Sequence, residues 1–325
     1  MKKIFVFLLF SVATVSCYKD YIFDNTYSGI YFPYQTDVRT FVVGEGMKVE
    51  VGAALAGVRK NILNRNVNFI FDNSLLTPAV LSGMKKAAQP YIAETTASVA
   101  ALLPLPSTYY TISNNSTMVI KEGQHMGTVI IQPDSATFLA DPATAVATYA
   151  LPFYITDADA DSVIIPKRSA IVAFRYENML FGKYWHGGSA LVNRPAKVDT
   201  TITYYTAIPT TEAKIWVLKT TAPNALFTNG YLDQVTAKNE MKLTLNGNDI
   251  TISSVAGSTY TILPDGTSSF NRPKLLQDRK IFLKYSFVNS GNGYTYHCSD
   301  TITFRNRIRD GINEWQDENP SHYLK

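Results

Sequence analysis

A chain of 325 residues, 46% hydrophobic and 17% charged, has the make-up of ordinary globular domains, two rather than one, with apolar surface enough for large cores. Its formal charge of +4 comes from 30 basic and 26 acidic residues, and no Lys/Arg stripe adjoins an aromatic platform along the sequence, which argues against nucleic acid as a partner.

The amino terminus reads as a leader. Lys2 and Lys3 precede the unbroken apolar run Ile4 to Phe10, followed by small or β-branched residues up to Ser16. That is the pattern of a signal peptide, too short for a permanent membrane helix. Thr14-Val15-Ser16-Cys17 resembles a lipobox with Thr where Leu is usual, so residues 1–17 are expected to be a lipoprotein signal ending at a lipidated Cys17. Tyr18-Lys19-Asp20 is similar to the short charged signals that send Bacteroidota lipoproteins to the outer face of the outer membrane. The expected location is therefore the outer membrane, lipid-anchored and facing the cell exterior. Lipidation of Cys17 leaves Cys298 as a lone cysteine, expected to be a small buried residue in a strand, with His297 on the opposite face.

From Tyr27 onward, short alternating runs separated by turn residues predict strands. They include Arg39–Val43, Met47–Leu55, Val67–Phe71, Tyr109–Ile112, Met118–Ile120, Thr128–Ile131 and Tyr149–Thr156, the last with Leu151, Phe153 and Ile155 on one face. Turn signals at this spacing predict an immunoglobulin-like sandwich over residues 27–174. Ser74 to Leu103 departs from the pattern. Its leucines and alanines suggest short helices limited by Pro78 and Pro90, with Ser74 as cap, inserted on the sandwich. Asp157, Asp159 and Asp161 suggest calcium, but counting from Asp157, Ser162 and Arg168 stand where an EF-hand loop needs Gly and Glu. No metal or cofactor is expected.

Residues 176–325 carry further runs: Ala213–Leu218, Met241–Leu245, Asp249–Ile252, Tyr260–Ile262, Lys280–Val288, Thr295–Cys298 and Asp300–Arg305. Asn246-Gly247-Asn248 between two of them signals a hairpin. The expected fold is all-β throughout, with a C-terminal antiparallel barrel or second sandwich.

A series of residues carries a family resemblance. It includes Ile30-Tyr31-Phe32-Pro33, Gly57-Val58-Arg59-Lys60-Asn61, Val67 to Asp72, Ile120-Lys121-Glu122-Gly123, Phe138 to Pro142 and Tyr149-Ala150-Leu151-Pro152. Phe181-Gly182-Lys183-Tyr184 and Asp300 to Arg307 continue it. The chain resembles Bacteroidota surface lipoproteins that join an N-terminal domain of unknown function to a C-terminal β domain. The resemblance implies a place beside Sus-type glycan uptake machinery, with a SusC/SusD-like transporter complex as partner. Some relatives carry a family-18 glycoside hydrolase. Its DxxDxDxE motif and the (β/α)₈ barrel of about 250 residues that would carry it are not found in this sequence.

No acidic pair stands in a glycosidase motif, the histidines show no zinc spacing, and nucleophile-elbow, Walker A and dinucleotide patterns do not occur. The expectation is therefore no enzyme, and non-catalytic binding of polysaccharide or oligosaccharide instead. Aromatic residues make up 12% of the chain, and sugar rings stack their C–H faces on flat side chains. Tyr184, Trp185 and His186 beside Gly187-Gly188, Tyr204 with Tyr205, and Tyr294 with Tyr296 beside Gly291-Asn292-Gly293 are the expected contacts, at loop edges. Strands are rich in aromatics in any case, and core packing is the alternative for each. Trp216 is expected in the core, and Trp315 as a packing plug. Arg305, Arg307 and Arg309 are expected on one face of a strand, solvated or facing an anionic partner. The alternative function is a structural or adhesive surface module that binds protein.

Overall fold

The computed structural model describes residues 27–204, 214–271, 273 and 275–316. The leader with Cys17, and Tyr205, lie outside the described residues. The chain divides into two compact units. One takes in the chain up to Phe41 together with Met47–Arg175, and the other takes in Val42–Gly46 and the chain from Tyr176.

The first unit is a two-sheet sandwich. In chain order its strands are β1 (Gly29–Tyr31), β2 (Thr36–Val43), β3 (Val49–Ala56), β4 (Arg65–Phe71), β5 (Leu103–Pro104) and β6 (Tyr110–Ile112). They continue with β7 (Thr117–Ile120), β8 (Met126–Pro133), β9 (Tyr149–Ala158), β10 (Ser162–Val163) and β11 (Ser169–Asn178). One sheet runs β10-β1-β3-β8-β6 and the other β2-β11-β9-β4-β7, with β5 against β9. Strict alternation builds the core: in β8, Gly127, Val129 and Ile131 are buried while their neighbours face out. From β9, Phe153 meets the rings of Phe32, Phe69 and Phe71 at 6.0, 5.3 and 5.0 Å.

The other side of β9 is covered too. Ala150, with Val38, Ile171 and Ala173, receives Leu81, Met84 and Ile92 from the short helices Pro78–Lys85 and Pro90–Thr96. Burying each such side chain contributes about 1.5–3 kcal/mol, which holds the insertion down. The cap differs from expectation. Pro78 occupies the first helical turn, so Thr77 accepts from the Val80 amide at 3.3 Å, while Ser74 bonds to Asp72 in a preceding 3₁₀ turn. Asp159 and Asp161 act as structural acceptors, the first from the Asn66 amide (2.8 Å) and the second from the Ser28 amide and hydroxyl (both 2.7 Å). Among the described residues no cluster of three or more His, Cys, Asp or Glu is arranged to hold a metal.

The second unit continues with β12 (Gly182–Asn193), β13 (Thr200–Tyr204), β14 (Ile215–Ala222), β15 (Ala225–Thr228), β16 (Gly230–Tyr231), β17 (Gln234–Val235) and β18 (Met241–Asn246). After these come β19 (Asp249–Ser254), β20 (Leu263–Pro264), β21 (Ser268–Phe270), β22 (Lys280–Asn289), β23 (Tyr294–Arg309) and β24 (Ile312–Glu314). Antiparallel pairing runs β12-β14-β15-β18-β19-β21-β22-β23, and β23 then pairs back onto β12 from Asn306 to Thr295. The sheet therefore closes into a barrel whose ring strands are paired on both sides, while β13, paired only with β12 among the described residues, remains an edge. Along one edge of β12, β14 pairs with Gly182–Trp185 and β13 with Gly188–Val192. The hairpin at Asn246 forms as read: Asn246 pairs with Asp249, and Gly247 takes φ +64°.

Three expectations fail here for physical reasons. Residues 260–262, expected as a strand, form none, because the Ser258 hydroxyl donates to the Tyr260 carbonyl and the Ile262 amide donates to the Ser254 hydroxyl. Trp315 is 57% exposed and plugs nothing. Arg305, Arg307 and Arg309 do not share one environment, because a bulge shifts the register where Lys183 meets Asn306 and Tyr184 meets Phe304. The inward series Asp300, Ile302, Phe304 therefore continues at Arg307, which is 2% exposed.

Candidate functional site

Inward-facing positions of the barrel fall in three zones. At one end, Glu45 enters between two buried guanidiniums. It receives Arg279 Nη2 at 2.9 Å and Arg307 Nη1 and Nη2 at 2.9 and 2.7 Å, while Arg307 Nε donates to Glu314 at 2.5 Å. Burial alone would raise the Glu45 pKa, but the hydrogen bonds and charges of Arg307 and Arg279 outweigh it and hold it below the usual carboxylate value.

The middle zone is a polar knot around Asp300, whose side chain has no exposed surface. Tyr285 donates to its Oδ2 at 2.7 Å and Tyr204 donates to its Oδ1. His186 Nε2 sits 3.0 Å from Oδ2, off the line of a hydrogen bond. The imidazole is stacked on the Trp216 indole at 4.1 Å and on the Tyr204 ring at 5.1 Å. Burial, then the Asp300 charge, pushes the Tyr204 and Tyr285 hydroxyls far up, so both are donors at any ordinary pH. The Cys298 thiol is raised by the same two causes, and this buried cysteine is held as the neutral thiol.

Two glycines make room for the knot. Gly188 pairs with Tyr204 on one side and Asp300 on the other, and a Cβ there would lie 2.5 Å from Asp300 Oδ1. A Cβ on Gly230 would lie 2.1 Å from the Trp216 indole. Gly187 and Gly188 are thus mid-strand residues of β12 and not a flexible loop beside an aromatic pair.

This arrangement decides several expected sugar contacts. Tyr184 is fully buried, burial pushing its hydroxyl up to about 12, and His186 and Tyr204 are 2% and 7% exposed. A side chain without an exposed face offers nothing for a pyranose to stack on, so these three are corrected to core. Trp216 is core as read. Trp185 faces outward on the barrel wall, with the Arg305 guanidinium 4.9 Å from its ring centre.

The third zone, at the opposite end of the barrel wall from Glu45, is aromatic. Tyr260, Phe287 and Tyr296 stack in series at 4.8 and 5.0 Å, with interplanar angles of 17° and 2°. Tyr231 sets its edge against both Tyr260 and Phe287, at 5.4 and 5.6 Å. Phe287 is buried and the three tyrosines are half-buried, so the stack keeps part of its surface in solvent. Polar groups stand beside it: Asn292 Nδ2 donates to Tyr296 Oη at 3.3 Å, and Lys197 Nζ reaches Tyr294 Oη at 3.4 Å. Burial, with Tyr260, Glu240 and Asp233 adding, pushes the Tyr231 hydroxyl up, so it stays a neutral donor.

The platform is held from below. Glu240, fully buried, accepts from Thr236 Oγ1 (2.6 Å) and from the amide and hydroxyl of Thr259 (2.7 and 2.8 Å). One carboxylate thereby fixes both segments that carry Tyr231 and Tyr260. Tyr285 Oη also accepts from the Leu232 amide at 2.7 Å, which ties the β16–β17 hairpin to the Asp300 knot. Of the expected contacts, this end brings together Tyr294 and Tyr296. Tyr231, Tyr260 and Phe287 were missed. The signal for them was weak: Tyr260 and Phe287 stand in runs expected as strands, Tyr260–Ile262 and Lys280–Val288, and no run was expected at Tyr231.

Comparison with known proteins bears on the fold. A protein-family model described as an N-terminal domain matches residues 23–162. A structural-genomics protein of unknown function from Bacteroides ovatus matches with a TM-score of 0.62 and 20% identity, over 90% of this chain and 97% of its own. The likeness is one of fold. A multidomain protein including DUF1735, also from Bacteroides ovatus, aligns at 16% identity over 89% of this chain and all of its own, with a TM-score of 0.41. No curated protein matches.

Proposed function

We propose that the chain is a lipid-anchored surface protein of the outer membrane that binds glycan without catalysis, as an accessory to Sus-type uptake. The aromatic end of the barrel is its contact surface. The observation that carries this reading is the stack of Tyr260, Phe287 and Tyr296 with Tyr231 at its edge, half in solvent and flanked by Asn292 and Lys197. Sugar C–H faces dock on such rings while amide and ammonium groups take the hydroxyls. Because Glu240 and Tyr285 already hold the loops, binding need not order them. The non-catalytic part is supported by His186 and Asp300, whose side chains are 1% and 0% exposed and present no surface to a substrate.

A glycan array probed with the purified chain tests the reading, followed by titration of each hit. Tyr260→Ala is expected to weaken the best ligand about tenfold, roughly 1.4 kcal/mol, with the fold intact. An array without hits, combined with retention of a specific protein partner, would replace glycan binding by adhesion. For the anchor, fatty-acid labelling is expected in the wild type and lost in Cys17→Ala.

A further inference from the structure

The outer wall of the barrel assembles something the linear sequence hides. Strands β14, β12, β23 and β22 lie side by side, and their outward positions fall into rows by register. Lys280 pairs with Thr303, Thr303 with Trp185, and Trp185 with Ile215. One row over, Phe282 pairs with Thr301 and Thr301 with Gly187. On the other side, Lys183 lies between Asn306 and Val217, with Lys219 further along β14 and Arg305 just before Asn306. Lys284 extends the set along β22.

Lys183, Lys219, Lys280, Lys284 and Arg305 thus share one face with the half-buried Trp185 and with Phe282, which is 39% exposed. Within these four strands the only acidic residue is Asp300, and it points inward. None of the five cations makes an ion pair with a described residue. Carboxylates border this face: Glu177 beside Lys183 and Lys219, Asp265, which faces His297 at 2.6 Å, Asp249, which continues the row of Phe282 through Ser269, and Asp278, two residues before Lys280.

We infer that this wall is a second binding surface, independent of the aromatic end, and that its ligand is an acidic polysaccharide carrying uronate or sulfate groups. Two features favour a glycan over a bare polyanion. The Arg305 guanidinium lies over the Trp185 ring at 4.9 Å, so an aromatic side chain and a group that matches a carboxylate or sulfate in a fork stand at one place. The cations are spread over the breadth of four strands, with Thr301 and Thr303 hydroxyls between them. That spread suits a repeating chain with one charge per sugar or two, hydroxyls between charges and an apolar ring face.

Affinity electrophoresis of the full chain through polygalacturonate, neutral galactan and single-stranded DNA tests the inference. Retardation by polygalacturonate and not by galactan is expected. It should weaken about tenfold between about 0.1 M and 1 M salt, as the screening length falls from about 10 Å to about 3 Å. Lys183→Gln with Arg305→Ala should abolish it, and Trp185→Ala should weaken it with all the cations still present. The sandwich variant Lys60→Gln should leave it intact. Equal retardation by galactan, no effect of the double variant, or DNA binding as tight as polygalacturonate would each overturn the inference. Tyr260→Ala separates this from the proposed glycan site: it should leave the polygalacturonate mobility shift unchanged.

Discussion

Tyr204 and Tyr285 in the middle of the barrel, and Tyr260 and Tyr296 at its end, are one side chain in two settings. The first pair spend their hydroxyls on Asp300 and their rings on the core. The second pair stack on each other through Phe287 and keep part of each ring in water. The same residue type thus serves the fold where a carboxylate captures its polar end, and is free for a ligand where neighbouring rings hold only its face. Composition cannot tell these apart, since what differs is the partner across the barrel.

The comparison breaks most sharply at Asp300. Asp300→Ala leaves the Tyr204 and Tyr285 hydroxyls buried without their acceptor, and a loss of about 3–5 kcal/mol in chemical denaturation is expected. A loss under about 1 kcal/mol would mean the knot is ornamental and its tyrosines are replaceable packing.

At the ionic end, Glu45→Gln leaves Arg279 and Arg307 without their shared charge, at a cost of about 3 kcal/mol. The pH dependence follows from the depressed carboxyl. Glu45 contributes its full stabilisation above its unfolded-state pKa of about 4.3, and loses it as pH falls through the lower folded-state value. Acid unfolding of the wild type below about pH 4.3 should therefore be steeper than that of Glu45→Gln. Parallel curves would remove Glu45 from the account.

Much of the fold was legible in the sequence, and the parts that were not share a cause. The alternation of β8 and β9, the hairpin at Asn246 and the strands β14, β18, β19, β22 and β23 follow from period-two patterning, which sequence carries directly, whereas β12, at the centre of the barrel wall, was not expected as a strand. The Gly187-Gly188 pair misled because a glycine in a turn and one vacated for a cross-strand neighbour look alike in sequence. Only the register that sets Gly188 between Tyr204 and Asp300 separates the two. Arg307 was misplaced because the bulge before it, a single extra residue, reverses inside and outside. The basic wall escaped notice because its members come from four strands more than a hundred positions apart at the extremes, from Lys183 to Arg305.

Gly188→Ala probes the glycine argument. Its new methyl would crowd Asp300 Oδ1 and Ser299 O, and a destabilisation of about 1–3 kcal/mol is expected by thermal melting. A neutral result would return the glycine pair to the role of a hinge. Trp315→Ala should shift stability by no more than about 0.5 kcal/mol, as fits an indole 57% in solvent.

Glu45 belongs by sequence to the turn after β2 and by packing to the barrel, 234 positions before Arg279. A gene fragment beginning at codon 176 would encode every strand of the ring and still omit the anion its two inner arginines require. The halves of this protein are therefore not interchangeable cassettes. Any recombination that replaces the chain beyond residue 175 inherits a constraint on the stretch Val42–Gly46 far upstream, so the two parts of the gene are bound to evolve together.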